Sequence, residues 1–200
     1  ASLVDASNCS RVTLIAHDWG AVIAWYFAIR RIRNLERLII CNVPHPAAMQ
    51  SAMGWRQLLR SWYAFFFQIP RLPEWVIGRG DLGSLMLSSS AAPGNFSDDV
   101  LQLYRDNGRR PDGLRGMINY YRALIRGGGG RRQRDLGTPL IEVPTLMLWG
   151  EDDSALTIET TVDTDQWVSD LTLRYLPRIS HWVQQDAPDQ VNAMMRAFIL

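Results

Sequence analysis

Three stretches of the chain, 12–17, 38–43 and 145–149, are aliphatic or β-branched almost without interruption, and a fourth, 171–176, also reads as a strand. The continuously apolar run 12–17 predicts a strand buried on both faces, as in a parallel sheet. Between the first two, residues 21–32 are apolar nearly all round, which predicts a heavily buried helix. Arg30, Arg31 and Arg33 are expected in its last turn, where cations suit the helix dipole. Strand, helix, strand predicts a right-handed parallel crossover. At the amino end, Ser7 and Asn8 predict the tail of a helix and a turn. At the carboxyl end, Val191, Met194, Met195 and Phe198 form one stripe of an amphipathic helix over 188–199.

From Met49 to about Gly130 the pattern changes to short helical segments separated by Pro and Gly, at 55–68, 74–79, 82–88, 97–106 and 113–126. Ser97 reads as an N-cap, with Asp98 and Asp99 in the first turn. No strand of comparable quality interrupts these helices, which predicts a helical insertion above the sheet. The expected division is core over 1–46, helical cap over 47–137 and core again over 138–200. Gly127 to Gly130, beside Arg131, Arg132 and Arg134, reads as a mobile loop; the Lys-Ser/Thr pair of a phosphate-binding loop is absent.

Asp18 stands where the first strand meets its helix, with Ala16 and Gly20 two positions away on either side. Small, any, nucleophile, any, small is the order of a nucleophile elbow, in which a strained turn thrusts the corner side chain into the open and small neighbours leave room for a close pass of the chain. An ordinary helix N-cap is the competing reading of Asp18 alone. Downstream, an acid, Asp152 or Asp153, follows the third strand, and His181 follows the fourth. Nucleophile, acid, histidine at the carboxyl ends of parallel strands is the chain order of a hydrolase triad.

A carboxylate nucleophile narrows the chemistry. Attack on an acyl carbon would give a labile anhydride, whereas attack on an sp³ carbon bearing a leaving group gives an ester that water can cleave. The predicted substrate is an alkylating electrophile, with His181 as general base on the water and backbone N–H groups near Trp19 stabilising the oxyanion.

In these residues the chain resembles the epoxide hydrolases of the α/β-hydrolase fold, over nearly its whole length. His17-Asp18-Trp19-Gly20 is similar to the family's nucleophile motif, Asn42-Val43-Pro44-His45-Pro46 to the approach to the cap, and Ser180-His181-Trp182-Val183-Gln184 to the histidine loop. The resemblance implies an α/β fold, a mostly parallel sheet with an inserted helical cap. It also selects Asp153, three residues after Gly150, as the acid. Arg60 to Pro70 resembles the segment with the first cap tyrosine, Tyr63, and Asn119-Tyr120-Tyr121-Arg122 that with the second, Tyr121, Tyr120 being the register alternative. These phenols are implied to protonate the epoxide oxygen, since ring opening at neutral pH otherwise leaves an alkoxide. Trp19, His17, Trp62 and Trp182 are implied around the oxyanion and substrate. The implied partners are a small apolar epoxide and water, with no metal and no cofactor.

A haloalkane or haloacid dehalogenase uses the same Asp nucleophile but needs halide donors, for which Trp19 and Trp62 are candidates, and has no need of two phenols. A serine esterase fails at Asp18. The family also has strands before the elbow and a His-Gly-x-Pro turn that this chain lacks. The chain is therefore expected to be the carboxyl-terminal part of a longer enzyme, truncated at the amino end, with the elbow strand an open apolar edge and little activity by itself. An inactive fragment is the reading of a different class.

Composition adds limits. Two hundred residues, 47% hydrophobic and 20% charged, describe a globular chain. A net charge of +1 gives no reason to expect nucleic acid or an anionic membrane as partner, although all 21 basic residues are Arg. Cys9 and Cys41 form no disulfide or metal pattern, so a reducing, cytoplasmic location is the expectation, with both thiols read as small buried apolar residues. No apolar run approaches the roughly 20 residues that span a bilayer.

Overall fold

The computed structural model describes residues 1–200, the side chain at position 111 apart. The chain opens with helix α1 (Ser2–Ser7), strand β1 (Thr13–His17), helix α2 (Trp19–Ile29) and strand β2 (Arg37–Cys41). A run of helices follows: α3 (Pro46–Ser51), α4 (Trp55–Arg60), α5 (Trp62–Phe66), α6 (Leu72–Arg79), α7 (Leu82–Ser89), α8 (Asp98–Arg109), α9 (Pro111–Arg126) and α10 (Gly129–Asp135). Strands β3 (Thr145–Gly150) and β4 (Leu171–Leu176) then complete the sheet, and α11 (Val183–Asp186) and α12 (Pro188–Ile199) close the chain.

The strands lie in the order β1-β2-β3-β4, all parallel. His17 pairs with Cys41 and Cys41 with Leu148, so the carboxyl ends of the strands come level at one edge of the sheet. Side chains alternate between its faces. Leu38, Ile40, Met147 and Trp149 point to one face and pack with Trp25 and Ala28 of α2, while Ile39, Cys41, Leu146 and Leu148 point to the other with Val191 of α12. Met194, Met195 and Phe198, the stripe read from the sequence, pack against this second cluster. Trp25 is fully buried and its indole N–H donates to the Val43 carbonyl at 3.1 Å, so truncating it to Ala would cost about 3–5 kcal/mol.

Several local expectations are corrected. β1 is a sheet edge whose Ile15 stays 49% exposed, so that strand is not buried on both faces; among the described residues only β2 pairs with it. Helix α2 stops at Ile29, and Arg31 adopts φ 46° just after it. Arg30 therefore does not complement that helix's dipole from within. Its guanidinium instead donates to the Gln133, Leu136 and Gly137 carbonyls at 3.0, 3.3 and 2.9 Å and to Gln133 Oε1 at 2.8 Å, tying the end of α10 to the core. The segment 55–68 divides at Ser61 into α4 and α5. The glycine run is a turn followed by a helix rather than a mobile loop: Gly128 takes φ 69°, which a β-carbon disfavours, and α10 starts at the next residue. Cys9 is exposed, whereas Cys41 is buried as expected.

Other details match. Asn8 ends α1 in the left-handed region, and Ser97 Oγ accepts the Val100 N–H at 3.4 Å as the N-cap of α8. Among the described residues no helix is long and apolar enough to cross a membrane.

Candidate active site

Asp18 links β1 to α2 with φ 50° and ψ −129°, a conformation that costs a non-glycine residue about 1–3 kcal/mol. Its carbonyl accepts the Ala21 and Val22 N–H groups at 2.9 and 3.1 Å, so the corner is held by the helix it starts. The side chain makes no capping hydrogen bond. The strained corner therefore delivers a carboxylate that the helix does not consume. Gly20 plays a different part from the one expected, since a β-carbon there would meet nothing within 4 Å among the described residues.

Asp153 lies in the loop after β3 and is fully buried at its side chain. Its Oδ1 accepts the Ala155 and Leu156 N–H groups at 2.7 and 2.9 Å; its Oδ2 accepts Asn42 Nδ2 at 2.8 Å and faces His181 Nδ1 at 2.7 Å. Its neighbour Asp152 is exposed, so the acid on the imidazole is Asp153. Asn42, with φ 47° at the end of β2, also accepts the Gly150 N–H at 3.0 Å, and so fixes the acid to two strands at once. A β-carbon at Gly150 would meet the Ser180 carbonyl oxygen at 2.1 Å and that of Ile179 at 2.5 Å. Glycine is required there because the acid loop and the histidine loop pass in contact.

His181 Nε2 is 3.7 Å from Asp18 Oδ1. The Asp18 side chain keeps 46% of its surface open while that of His181 keeps 10%, so the arrangement exposes the carboxylate and encloses the imidazole. Burial opposes a charged imidazole, but hydrogen bonding to Asp153 and the charges of Asp153 and Asp18 outweigh it and push His181 up to about 9. Burial likewise opposes ionisation of both carboxylates, and the adjacent His181 outweighs it, holding Asp18 and Asp153 below the ordinary carboxylate value. The Trp19 backbone N–H adds to this at Asp18.

The cap supplies two phenols. Tyr63 on α5 and Tyr121 on α9 meet edge to face, ring centroids 5.6 Å apart, and Tyr121 meets Trp19 at 4.9 Å. Burial is the first cause raising the pKa of both; the neighbouring Tyr121 and then the charge of Asp18 add to it at Tyr63, and the charge of Asp18 adds to it at Tyr121, which is pushed up to about 12. Tyr120, the register alternative, is 47% exposed and stacks on Trp19 at 5.2 Å. Arg122 holds α9 to α6 and to the turn after α5: it pairs with Glu74 at 2.5 Å and donates to the Phe67 and Ile69 carbonyls at 2.9 and 3.1 Å.

Three of the implied substrate-side residues are engaged elsewhere. His17 Nε2 is 2.9 Å from the His181 carbonyl, which only accepts, so His17 donates from that nitrogen. Burial, then the charge of His181, lowers its pKa to about 4, and the ring stays neutral. Trp182 donates its indole N–H to Ser89 Oγ at 2.9 Å and packs against both His17 and His181. Trp62 is 64% exposed and touches Tyr63 and Phe66, which takes it out of the proposed halide-donor pair.

Residues that sequence reasoning passed over hold the site together. Gln57, buried on α4, donates to the Ala155 carbonyl at 3.0 Å and accepts the Thr157 N–H at 2.9 Å, while Arg60 donates to the Asp153 carbonyl at 2.5 Å. Their helix, Trp55–Arg60, is half polar, so nothing in its pattern singles them out. Asn42 was visible as part of a motif but not as a ligand of the acid. Among the described residues no cluster of side chains suited to a metal ion occurs.

The chain is similar in sequence and fold to several known proteins. A solved structure of a mutant epoxide hydrolase from Bacillus megaterium superposes with a TM-score of 0.84 at 27% identity, over 99% of this chain and 72% of that one. Epoxide hydrolase 1 of Caenorhabditis elegans is 32% identical over 206 residues and epoxide hydrolase 4 of Mus musculus 34% identical over 207, each alignment taking in 98% of this chain. The chain spans about half the length of these curated relatives, 50% and 56% respectively. The family model described as "Alpha/beta hydrolase family" matches residues 1–194. With parallel strands, an elbow carboxylate and a buried acid on a histidine in the order that fold demands, the chain belongs to the alpha/beta hydrolase family.

Proposed function

We propose that the protein of which this chain is part hydrolyses epoxides to vicinal diols through a covalent ester on Asp18. The observation that carries the reading is the pair of half-buried phenols, Tyr63 and Tyr121, whose rings meet at 5.6 Å beside Trp19 of the elbow, with Asp18 close enough to raise both pKa values. An Asp18 oxygen attacks one ring carbon, the C–O bond breaks, and a phenol gives its proton to the departing oxygen. The product of this half-reaction is a hydroxyalkyl ester, with the phenolate left to recover a proton from water.

In the second half-reaction His181, oriented by Asp153, takes a proton from water, and the resulting hydroxide adds to the Asp18 carboxyl carbon. The tetrahedral oxyanion is stabilised by backbone N–H groups, that of Trp19 among them, and collapses to diol and free carboxylate. A weakly solvated histidine pushed up to about 9 by two carboxylates suits the role, because ester formation removes one of those charges and makes the imidazole available as a base.

Displacement of halide by the same Asp18 is the second reading. The 64% exposure of Trp62 counts against it, since a halide donor works best where water is excluded. The deciding experiment is product identity. The complete protein is incubated with an aryl epoxide and, separately, a haloalkane; diol from the first is expected, and halide from the second without diol from the first would overturn the reading.

A further inference from the structure

The histidine loop is bolted to the cap at a carboxylate that the proposed chemistry leaves unused. Asp186, at the end of α11, is buried. Its Oδ2 accepts the Ser180 N–H at 2.8 Å, the Ser180 hydroxyl at 2.5 Å and the Ala91 N–H at 3.3 Å. Its Oδ1 accepts the Ser90 hydroxyl at 2.5 Å and the Ala92 N–H at 3.2 Å. The donors thus come from two places: Ser180, the residue before His181, and the segment of the cap that follows α7.

The surroundings repeat the pattern. Trp182 on the histidine loop donates to Ser89, and Asn95 Nδ2 donates to the Gln185 and Asp186 carbonyls at 2.9 and 3.1 Å. Ser180 Oγ also accepts the Trp182 N–H at 3.2 Å, so the residues on both sides of His181 hang on one hydroxyl that itself donates to Asp186. An ionised carboxylate only accepts, and five donors converge on this one. An amide in its place would set an N–H against at least one of them. Burial works against the charge, but the Ser180 and Ser90 donors outweigh it and keep the group below the ordinary carboxylate value.

We propose that Asp186 is a positioning residue for His181, a clasp that makes the alignment of the base with Asp153 depend on the docked cap segment 89–92. This rests on the reading of His181 as the general base. Asp18, Tyr63 and Tyr121 stand on other elements, so loosening the clasp leaves ring opening intact and slows ester hydrolysis. Charge is part of the device, since an uncharged amide of the same size offers one acceptor oxygen where the donors here converge on two.

The test compares Asp186→Asn, Asp186→Glu and Ser90→Ala with the parent sequence in the complete protein, using styrene oxide in rapid-quench single turnovers. Formation and decay of the covalent ester are read separately by intact mass. Asp186→Asn is expected to keep ester formation within about twofold and slow its decay by about tenfold or more, on the scale of general-base contributions. Asp186→Glu, which keeps the charge, is expected to recover part of that loss, and Ser90→Ala to slow decay in the same direction by about threefold. A second readout needs no turnover: the proton between His181 Nδ1 and Asp153, observed by NMR, is expected to shift or broaden in Asp186→Asn. If the parent protein forms no ester, the epoxide reading fails and the NMR signal still judges the clasp. Equal slowing of both half-reactions, or decay and NMR signal unchanged in the variants, overturns the proposal. If Asp186→Asn does not fold, Ser90→Ala and Trp182→Phe decide it by the same two readouts.

Discussion

His181 Nε2 and Asp18 Oδ1 stand 3.7 Å apart, too far for a hydrogen bond and close enough for each charge to stabilise the other. The Asp18 carboxylate is therefore ionised yet uncommitted. Esterification of Asp18 removes one of the two anions that raise His181, so the imidazole pKa in the ester falls below the value of about 9 in the resting protein. Only the neutral ring can accept the proton from water. Ester hydrolysis is expected to accelerate with pH through an inflection below 9, measured by single-turnover decay, while NMR titration of the resting protein gives the higher value. An inflection at or above the resting value contradicts this ordering.

In the proposed reaction the two phenols are alternative donors of one proton. Burial and the charge of Asp18 keep both protonated at neutral pH, Tyr121 being pushed up to about 12 and Tyr63 higher. Tyr63→Phe or Tyr121→Phe alone is expected to slow ester formation by about tenfold, and the double substitution by about 10²- to 10⁴-fold, the usual range for a general acid. Rapid-quench rates check this. Unchanged ester formation in the double variant removes the phenols from the mechanism.

Gly150 is a packing requirement with a catalytic consequence. Alanine would bring its β-carbon within 2.1 Å of the Ser180 carbonyl oxygen and must push the acid and histidine loops apart. Gly150→Ala is expected to destabilise the protein by about 3 kcal/mol or more, at or beyond the upper end of ordinary overpacking. Thermal unfolding measures it, and a variant as stable as the parent contradicts the close approach.

Stability should also follow pH from both sides. Half-buried His17 and buried His45 are lowered to about 4 from an ordinary 6.5, so the stability they contribute is full above 6.5 and lost as pH falls toward 4. Asp153, held below its ordinary value, adds loss in the same acid direction. His181, raised to about 9, contributes fully below 6.5 and loses its share as pH rises through 9. Thermal unfolding across this range is expected to show a maximum near 6.5, with His17→Asn flattening the acid limb. A steady rise in melting temperature from 6.5 to 9 contradicts the assignment of His181.

Much of this was legible in the residues themselves. The strand runs end within one or two positions of β1 to β4, because uninterrupted aliphatic stretches have few other places to go in a small α/β protein. Asp18, Asp153 and His181 were found through their chain order and their position after strands, which parallel topology converts into proximity. The helix caps at Asn8 and Ser97 were readable as local chemistry. What escaped was set by contacts between distant segments. Asp186, Gln57 and Arg60 bind backbone groups of loops that no periodicity places beside them. The resemblance implies Trp62 and His17 beside the substrate, but the first is 64% exposed on α5 and the second turns its donor to the His181 carbonyl. The glycine run was misread because composition reports flexibility, whereas Gly128 is used for a single turn of positive φ.

The central claim is that Asp18 forms an ester with the substrate and that His181 is needed only to break it. The direct measurement is the intact mass of the complete protein carrying His181→Gln, after incubation with an aryl epoxide, followed by peptide mapping. The account predicts a gain equal to the mass of one epoxide, located on the peptide that contains Asp18 and absent when Asp18→Asn is added. An unmodified protein, or a label on any other residue, contradicts it.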